Sequence, residues 1–204
     1  MGYLIVIVIS YLLGCSNMAY YIARAKKVDL RSGGSGNAGA SNATILLGWR
    51  AGVLVGLHDI GKAYLAVLLA KLLFGNLPAV GPVAGVACVL GHIFPFYMKF
   101  QGGKGFASYL GMTLALNWKL ALVVMALVVL LTVVTDYLVV GTFATVLTVP
   151  IYTGITSKSW LVAVILCIGT AAILWKHRKN IVRICKGTEI GLRSTIQGKH
   201  RVKQ

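Results

Sequence analysis

Carboxylates are nearly missing from this chain. Asp29, Asp59, Asp136 and Glu189 are the only four acidic residues, against 20 lysines and arginines, which leaves a formal charge of +16 over 204 residues. A soluble fold of this length needs a largely charged exterior, and a chain with 12% charged and 58% hydrophobic residues cannot supply one. The scarcity also disfavours chemistry that needs paired carboxylates, such as glycosidase-like or two-metal hydrolysis. Cysteine is equally thin: Cys15, Cys88 and Cys167 fall in apolar runs and Cys185 in a basic tail. None has a C-x-x-C partner or a histidine at zinc-site spacing, so neither a disulfide framework nor a metal site is indicated.

What the chain has is apolar length, with a mean hydropathy of +0.83. The apolar runs cover 3–23, 51–74, 79–97, 106–117, 120–134, 138–155 and 160–175. Several approach the roughly 20 residues that cross a bilayer as helix. The expected fold is all-α, a polytopic membrane bundle of about seven transmembrane segments forming one membrane-embedded domain over 1–204. Run 106–117 is short for a crossing, and is expected to extend into the glycines before it, tilt, or be re-entrant. Run 3–23 lacks a basic leader and continues into Tyr20 and Tyr21, so a retained helix is expected rather than a removed signal peptide.

The basic residues alternate by connection. Arg24, Lys26, Lys27 and Arg31 follow the first run, Lys99 and Lys104 follow the third, and nine lysines or arginines follow the seventh. The positive-inside rule then places the amino terminus outside and the carboxyl terminus in the cytoplasm. Most of the basic tail is expected to be drawn to anionic lipid headgroups, and nucleic acid is not an expected partner.

Residues 31–44 read RSGGSGNAGASNAT, almost without large apolar side chains. Glycine-rich backbone turns its N–H groups into a concavity for anionic oxygens, and Ser35, Asn37, Ser41 and Asn42 add short polar side chains. Gly34, Gly36 and Gly39 fit the dinucleotide-binding spacing, yet no strand precedes them and Asp59 lies in an apolar helical run, so that match is rejected. Asn42-Ala43-Thr44 is formally a glycosylation acceptor, but the loop is expected on the cytoplasmic side. On the same face, Gly102-Gly103-Lys104-Gly105 opens a helix, which offers free amides and an ammonium to one anion. His177 and Asn180, at i and i+3 if helical, share a face there, and Thr142 lies just inside the sixth run. Asp59 and Lys62, one turn apart within a membrane segment, are expected to form an ion pair, with His58 either joining it or facing the bundle interior.

Three stretches together carry a resemblance: 34–42, the run from Gly91-His92 through Phe94-Pro95 to 102–105, and 177–181 with Gly187-Thr188-Glu189. They resemble, in order and spacing over nearly the whole chain, the signature motifs of the bacterial acyl-phosphate-dependent glycerol-3-phosphate acyltransferases. The resemblance implies a multi-pass enzyme of phospholipid synthesis in the bacterial inner membrane, its active site at the cytoplasmic face. Such an enzyme moves an acyl group from acyl phosphate to the sn-1 hydroxyl of glycerol 3-phosphate, without acyl carrier protein, metal or other cofactor. In keeping with this, the H-x-x-x-x-D pattern of other glycerolipid acyltransferases is missing, because Ala63, Tyr97 and Val182 stand five residues after His58, His92 and His177.

On this resemblance Ser35, Lys104 and His177 are expected to be catalytic. Gly34, Gly36, Asn37, Gly39, Asn42, His92, Gly102, Gly103, Gly105, Thr142 and Asn180 are expected to bind substrate. Lys104 and the amides of 102–105 would hold a phosphate, and His177 would bind the acceptor or act as its general base. Asp59, Lys62 and Glu189 are expected to support these, Glu189 by bracing basic residues of the first loop. The chain departs from the family pattern twice: Ile45 stands where an arginine is usual, and Val139 where a serine is usual. Two other readings are a changed phosphorylated acceptor, and a membrane transporter or lipid-binding protein that keeps the anion nest without chemistry.

Overall fold

The computed structural model describes residues 1–196, all of whose regular structure is helical. Lys199, Arg201 and Lys203 of the basic tail, and the last residues of the expected 1–204 domain, lie outside the described residues. The helices are α1 (Gly2–Cys15), α2 (Met18–Ala25), α3 (Ala40–Leu47), α4 (Trp49–Phe74), α5 (Val80–Ile93), α6 (Phe106–Leu116), α7 (Trp118–Thr135), α8 (Leu138–Thr156), α9 (Trp160–Cys185) and α10 (Leu192–Ile196). Six stretches are long and apolar enough to cross a membrane: Gly2–Ala25, Trp49–Phe74, Val80–Met98, Trp118–Thr135, Leu138–Thr156 and Trp160–Cys185. Their exposed faces carry residues such as Leu72, Val134 and Ile155, as lipid contact requires.

The first run is not one helix. It breaks at Ser16–Asn17, where the Asn17 side chain accepts the Tyr20 amide and restarts the helix as α2. A break inside an apolar span frees carbonyls that have no water to turn to. Lys62 Nζ donates to Ser16 O at 2.6 Å and Tyr97 Oη to Cys15 O at 2.7 Å, which meets that need. The adjoining helices α1 and α5 approach closely through Gly14 and Gly91. A side chain at either would overlap the Cys88 or the Tyr11 carbonyl.

Helix α6 has 11 residues, about 16 Å of rise against a hydrocarbon core of about 30 Å. It does not extend into the glycines before it, as one expectation had it. Instead the chain turns after Phe94 and doubles back, so that the Gly102 and Gly103 amides donate to the Ile93 and His92 carbonyls. The short helix therefore starts beside the end of α5 rather than beyond it. At its other end Lys71 Nζ donates to the Ala115 carbonyl, next to where Leu116 meets Gly81. The core that holds α5, α6, α8 and α9 together includes Val89, Ile93, Tyr109, Met112, Val146 and Leu166. Tyr109 and Thr170 share a buried hydrogen bond of 3.2 Å, and Thr170 donates onward to Val146 O.

Candidate active site

Where the doubled-back turn meets the ends of α3, α8 and α9, a cleft of about 440 Å³ opens. The start of α6 faces into it, with Lys104, Gly105, Phe106 and Ala107 in its wall. The first intrahelical bond of α6 is Tyr109 N to Gly105 O, so the amides before it have no partner within the helix. Helix α3 does the same from the opposite wall, through Ala40 and Ser41 after Gly39. Two positive helix ends and a lysine converge on one concavity, which suits an anion.

Lys104 sits at the head of a polar chain. Its Nζ donates to Asn180 Oδ1 at 2.8 Å, Asn180 Nδ2 donates to Glu189 Oε1 at 2.5 Å, and Arg183 Nε donates to Glu189 Oε2 at 2.5 Å. The carboxylate thus fixes which way the Asn180 amide points. Burial, and then the neighbouring Arg183 charge, depress the Lys104 pKa to about 8, while Glu189 works the other way. A phosphate in the cleft would favour the charged lysine and reverse that depression.

Helix α9 continues past the apolar run through His177 and Asn180 to Cys185, which puts both side chains on one buried face. His177 Nδ1 lies 2.9 Å from the Ile173 carbonyl, one turn back. A carbonyl can only accept, so Nδ1 carries hydrogen and the neutral ring offers its Nε2 lone pair to another partner. Phe143 holds the ring edge-on at 5.9 Å. His177 lines the cleft with Thr142, whose hydroxyl donates to Leu138 O within its own helix.

The glycine stretch is a loop only as far as Gly39, because 40–47 is helical and carries Ser41, Asn42 and Thr44. Gly34, Ser35, Asn37 and Gly39 line the cleft, and Asn37 Nδ2 donates to Ser35 Oγ at 2.7 Å, leaving the serine hydrogen free. Asn42 is placed differently from expectation. It is fully buried, with Nδ2 donating to the Leu30 and Asn37 carbonyls and Oδ1 accepting the Ser35 amide, so it braces the loop and has no atom left for substrate. Gly36 lies outside the cleft and supplies a turn at φ +67°.

Gly102 and Gly103 are a second correction. Their amides are already spent on α5, so the anion-binding amides of this turn begin at Gly105. Gly103 serves packing instead, since a Cβ there would strike the His92 ring. His92 reaches the cleft wall, with its Nδ1 3.0 Å from Lys62 Nζ and 3.2 Å from Asp59 Oδ1. Lys62 pairs with Asp59 at 2.9 Å and His58 Nδ1 stands 3.5 Å from the same oxygen. Of this pair only Asp59 touches the cleft. Glu189 is the third correction: its partners are Asn180 and Arg183 of α9, not the first loop.

Sequence reasoning gave no role to Arg183, Thr188 or Thr195, all in the cleft wall, although Thr188 stood in a motif it singled out. The spacing 177, 180, 183 held the signal for Arg183, one face of a continuing helix. Ile45 lines the cleft as an apolar patch. Arg50 does not replace an arginine there, because it is exposed and stacked at 5.5 Å over Trp49. The segment after Glu189 closes the remaining side. Leu192 N donates to Asp136 O and Arg193 N to Asp136 Oδ1, both at 2.8 Å, which pins the chain to the α7–α8 turn.

Six helices long and apolar enough to cross a membrane, with a cleft at one end that suits an anion, define the class of an integral membrane protein with a candidate anion site. Residues 4–187 match the sequence model of the glycerol-3-phosphate acyltransferase family, and the chain belongs to that family. Relatives called glycerol-3-phosphate acyltransferase include one from Thermoanaerobacter pseudethanolicus, 37% identical over 183 residues, 89% of this chain and 91% of that one. Another, from Coxiella burnetii, is 39% identical over 191 residues, 93% of this chain and 97% of its own. The fold matches the crystal structure of PlsY, an integral membrane glycerol 3-phosphate acyltransferase, in its glycerol 3-phosphate form. The TM-score is 0.90, at 31% identity over 98% of this chain and all of that one. The lysophosphatidic acid form of PlsY gives 0.85 at 30% identity, over 98% of this chain and all of that one. This chain is accordingly a multi-span integral membrane acyltransferase.

Proposed function

We propose that this protein transfers a fatty acyl group from acyl phosphate to the sn-1 hydroxyl of glycerol 3-phosphate, forming lysophosphatidate and inorganic phosphate. The observation that carries this reading is the single cleft where Lys104, Asn180, His177 and two helix N-termini meet, in a chain of this family. An acyl phosphate is a mixed anhydride with a good leaving group, so the site has mainly to place two phosphates and steady developing oxyanion charge. Lys104 and the amides of Gly105, Phe106 and Ala107 take one phosphate, with Ser35, Asn37 and the α3 terminus taking the other.

The Nε2 of His177 accepts a hydrogen bond from the acceptor hydroxyl and aims it at the acyl carbon. The hydroxyl oxygen bonds to that carbon, the anhydride C–O bond breaks, and the proton leaves on the released phosphate. Acyl carrier protein has no part in this scheme. The cluster of Arg24, Lys26, Lys27, Arg178 and Lys179 at the cleft end supports a cytoplasmic placement in the inner membrane of a bacterium.

The test is mass-spectrometric detection of lysophosphatidate from purified protein given acyl phosphate and glycerol 3-phosphate, with an acyl carrier protein thioester as a parallel donor. Product is expected from acyl phosphate alone and is expected to vanish with Lys104→Ala. A folded wild-type protein that yields none overturns the proposal. Ile45 favours a second reading, in which the same donor serves another phosphorylated acceptor, because an apolar wall replaces a bidentate cation. Offering several phosphorylated alcohols at once, to wild type and to Ile45→Arg, separates the two readings. A preference for glycerol 3-phosphate in wild type refutes the second.

A further inference from the structure

A second cavity, of about 430 Å³, lies on the other side of the glycine loop, between α2 and the turn at Lys99. Its floor is apolar and buried, formed by Ala23, Leu30, Ala38 and Met98. Arg24, Arg31 and Lys99 line it as well. Among the described residues no salt bridge joins any of these three cations to a carboxylate. Asp29 also lines the cavity, where its Oδ1 accepts the Arg31 amide at 2.9 Å, so one negative charge faces three positive ones.

Neither guanidinium is fully engaged. Arg31 donates from Nη2 to the Met98 and Gln101 carbonyls, and Arg24 from Nη1 to the Tyr20 hydroxyl at 3.2 Å. Like charges gathered around one cavity repel, and an anion placed among them removes that cost. The depth of the cavity says which anion. Arg24 stands in the last turn of the first crossing, Gly2–Ala25, and Tyr21, Val28, Phe96 and Phe100 are exposed close by. Aromatic and basic residues in that combination mark the level of lipid headgroups. The Tyr20 and Tyr97 rings, 5.6 Å apart and edge to face, form a wall with an apolar body and hydroxyl tips.

We propose that this second cavity holds the phosphate of an anionic phospholipid headgroup, at a site separate from the acyl-transfer cleft. The occupant contacts α2, the first loop and the Lys99 turn together. Arg31 already ties the loop to that turn, so a bound lipid reinforces a wall that the cleft shares.

The test titrates dioctanoyl phosphatidylglycerol into detergent-solubilised protein held in excess glycerol 3-phosphate, which occupies the main cleft, and counts bound lipid by native mass spectrometry. One lipid per chain is expected to bind saturably. Arg24→Gln combined with Lys99→Asn, chosen because asparagine tolerates the left-handed backbone at 99, is expected to weaken it about thirtyfold. Lys179→Gln with Lys186→Gln, at the basic tail, is expected to bind as wild type does. Dioctanoyl phosphatidylcholine and inorganic phosphate are expected not to displace the lipid. Equal binding by the Arg24/Lys99 variant, unsaturable uptake, or displacement by phosphatidylcholine overturns the proposal. Displacement by inorganic phosphate at similar concentration shows a soluble anion to be the occupant and also overturns it. A photoactivatable phosphatidylglycerol on wild-type protein, with no folding question, is expected to label the Tyr20 and Tyr97 segments. Labelling confined to other segments refutes the assignment.

Discussion

Replacing Glu189 by glutamine tests the polar chain at its least obvious link. The substitution keeps shape and removes charge, but it also turns one acceptor oxygen into a donor. Both carboxylate oxygens now accept, one from Asn180 and one from Arg183. Glutamine can accept from only one of these, so its amide hydrogens face a second donor. If Asn180 flips to relieve the clash, its own NH₂ group is turned toward the Lys104 ammonium, donor against donor. One charge-assisted hydrogen bond contributes about 1.5 to 3 kcal/mol, which is roughly a ten- to hundredfold loss in kcat/KM. The Arg183 contact adds little to this, because that side chain is 32% exposed and solvent screens it.

The pH profile gives a second readout. On the proposal that charged Lys104 holds a phosphate, wild-type kcat/KM should fall as pH rises through the Lys104 pKa, about 8 in the free site. Glu189 raises that pKa, so Glu189→Gln should start the fall at lower pH. The assay is kcat/KM for lysophosphatidate formation between neutral pH and pH about 9, a window that brackets this pKa. In an Asn180→Ala background the glutamine should cost little more, since the group it misdirects is gone. A single variant within about twofold of wild type, with an unmoved alkaline limb, refutes the chain as the orienting device.

Asp136→Ala removes the carboxylate that accepts from Arg193. With about 1 kcal/mol lost per hydrogen bond, KM should rise roughly fivefold, and limited proteolysis after Arg193 should quicken. Gly191→Ala, which would press a methyl into the same carboxylate, should act in the same direction. Asp59→Asn leaves Lys62 buried beside a neutral partner and should cost about 3 to 5 kcal/mol in chemical-denaturation stability in detergent. Adding Lys62→Met removes the stranded ammonium but also the donor to Ser16 O, so the double variant should recover that loss less about 1 kcal/mol for the freed carbonyl, and a double variant less stable than the single one counts against an ion pair.

Hydropathy made the crossings readable, and Gly-Gly-Lys-Gly with the His177–Asn180 spacing made two walls of the site readable. What escaped was set by distant backbone. The break at Ser16–Asn17 hides in a continuous apolar run, because the groups that make it tolerable, Lys62 and Tyr97, lie 46 and 82 residues away from the carbonyls they satisfy. Gly102 and Gly103 look like anion-binding amides until α5 claims them. Asn42 looks like a ligand group until its three bonds are counted. Glycine and asparagine serve loops and ligands with the same atoms, and only their partners tell the uses apart. Asp136 gave no local hint, since it acts on a segment 57 residues later.

The four carboxylates also bear on kinetics. Asp29 closes a turn, Asp59 sits in a buried ion cluster, Asp136 pins a passing segment and Glu189 is held between two side chains. Among the described residues only Asp59 and Glu189 are ion-paired, yet four carboxylates stand against 20 lysines and arginines, so the net field draws an arriving anion in. Capture of a phosphorylated substrate should therefore run fast at low ionic strength and slow steeply as salt rises, an effect on encounter rate rather than on chemistry. The same field acts on departure. Inorganic phosphate has to leave against it, and its escape into bulk water becomes the step that salt speeds up.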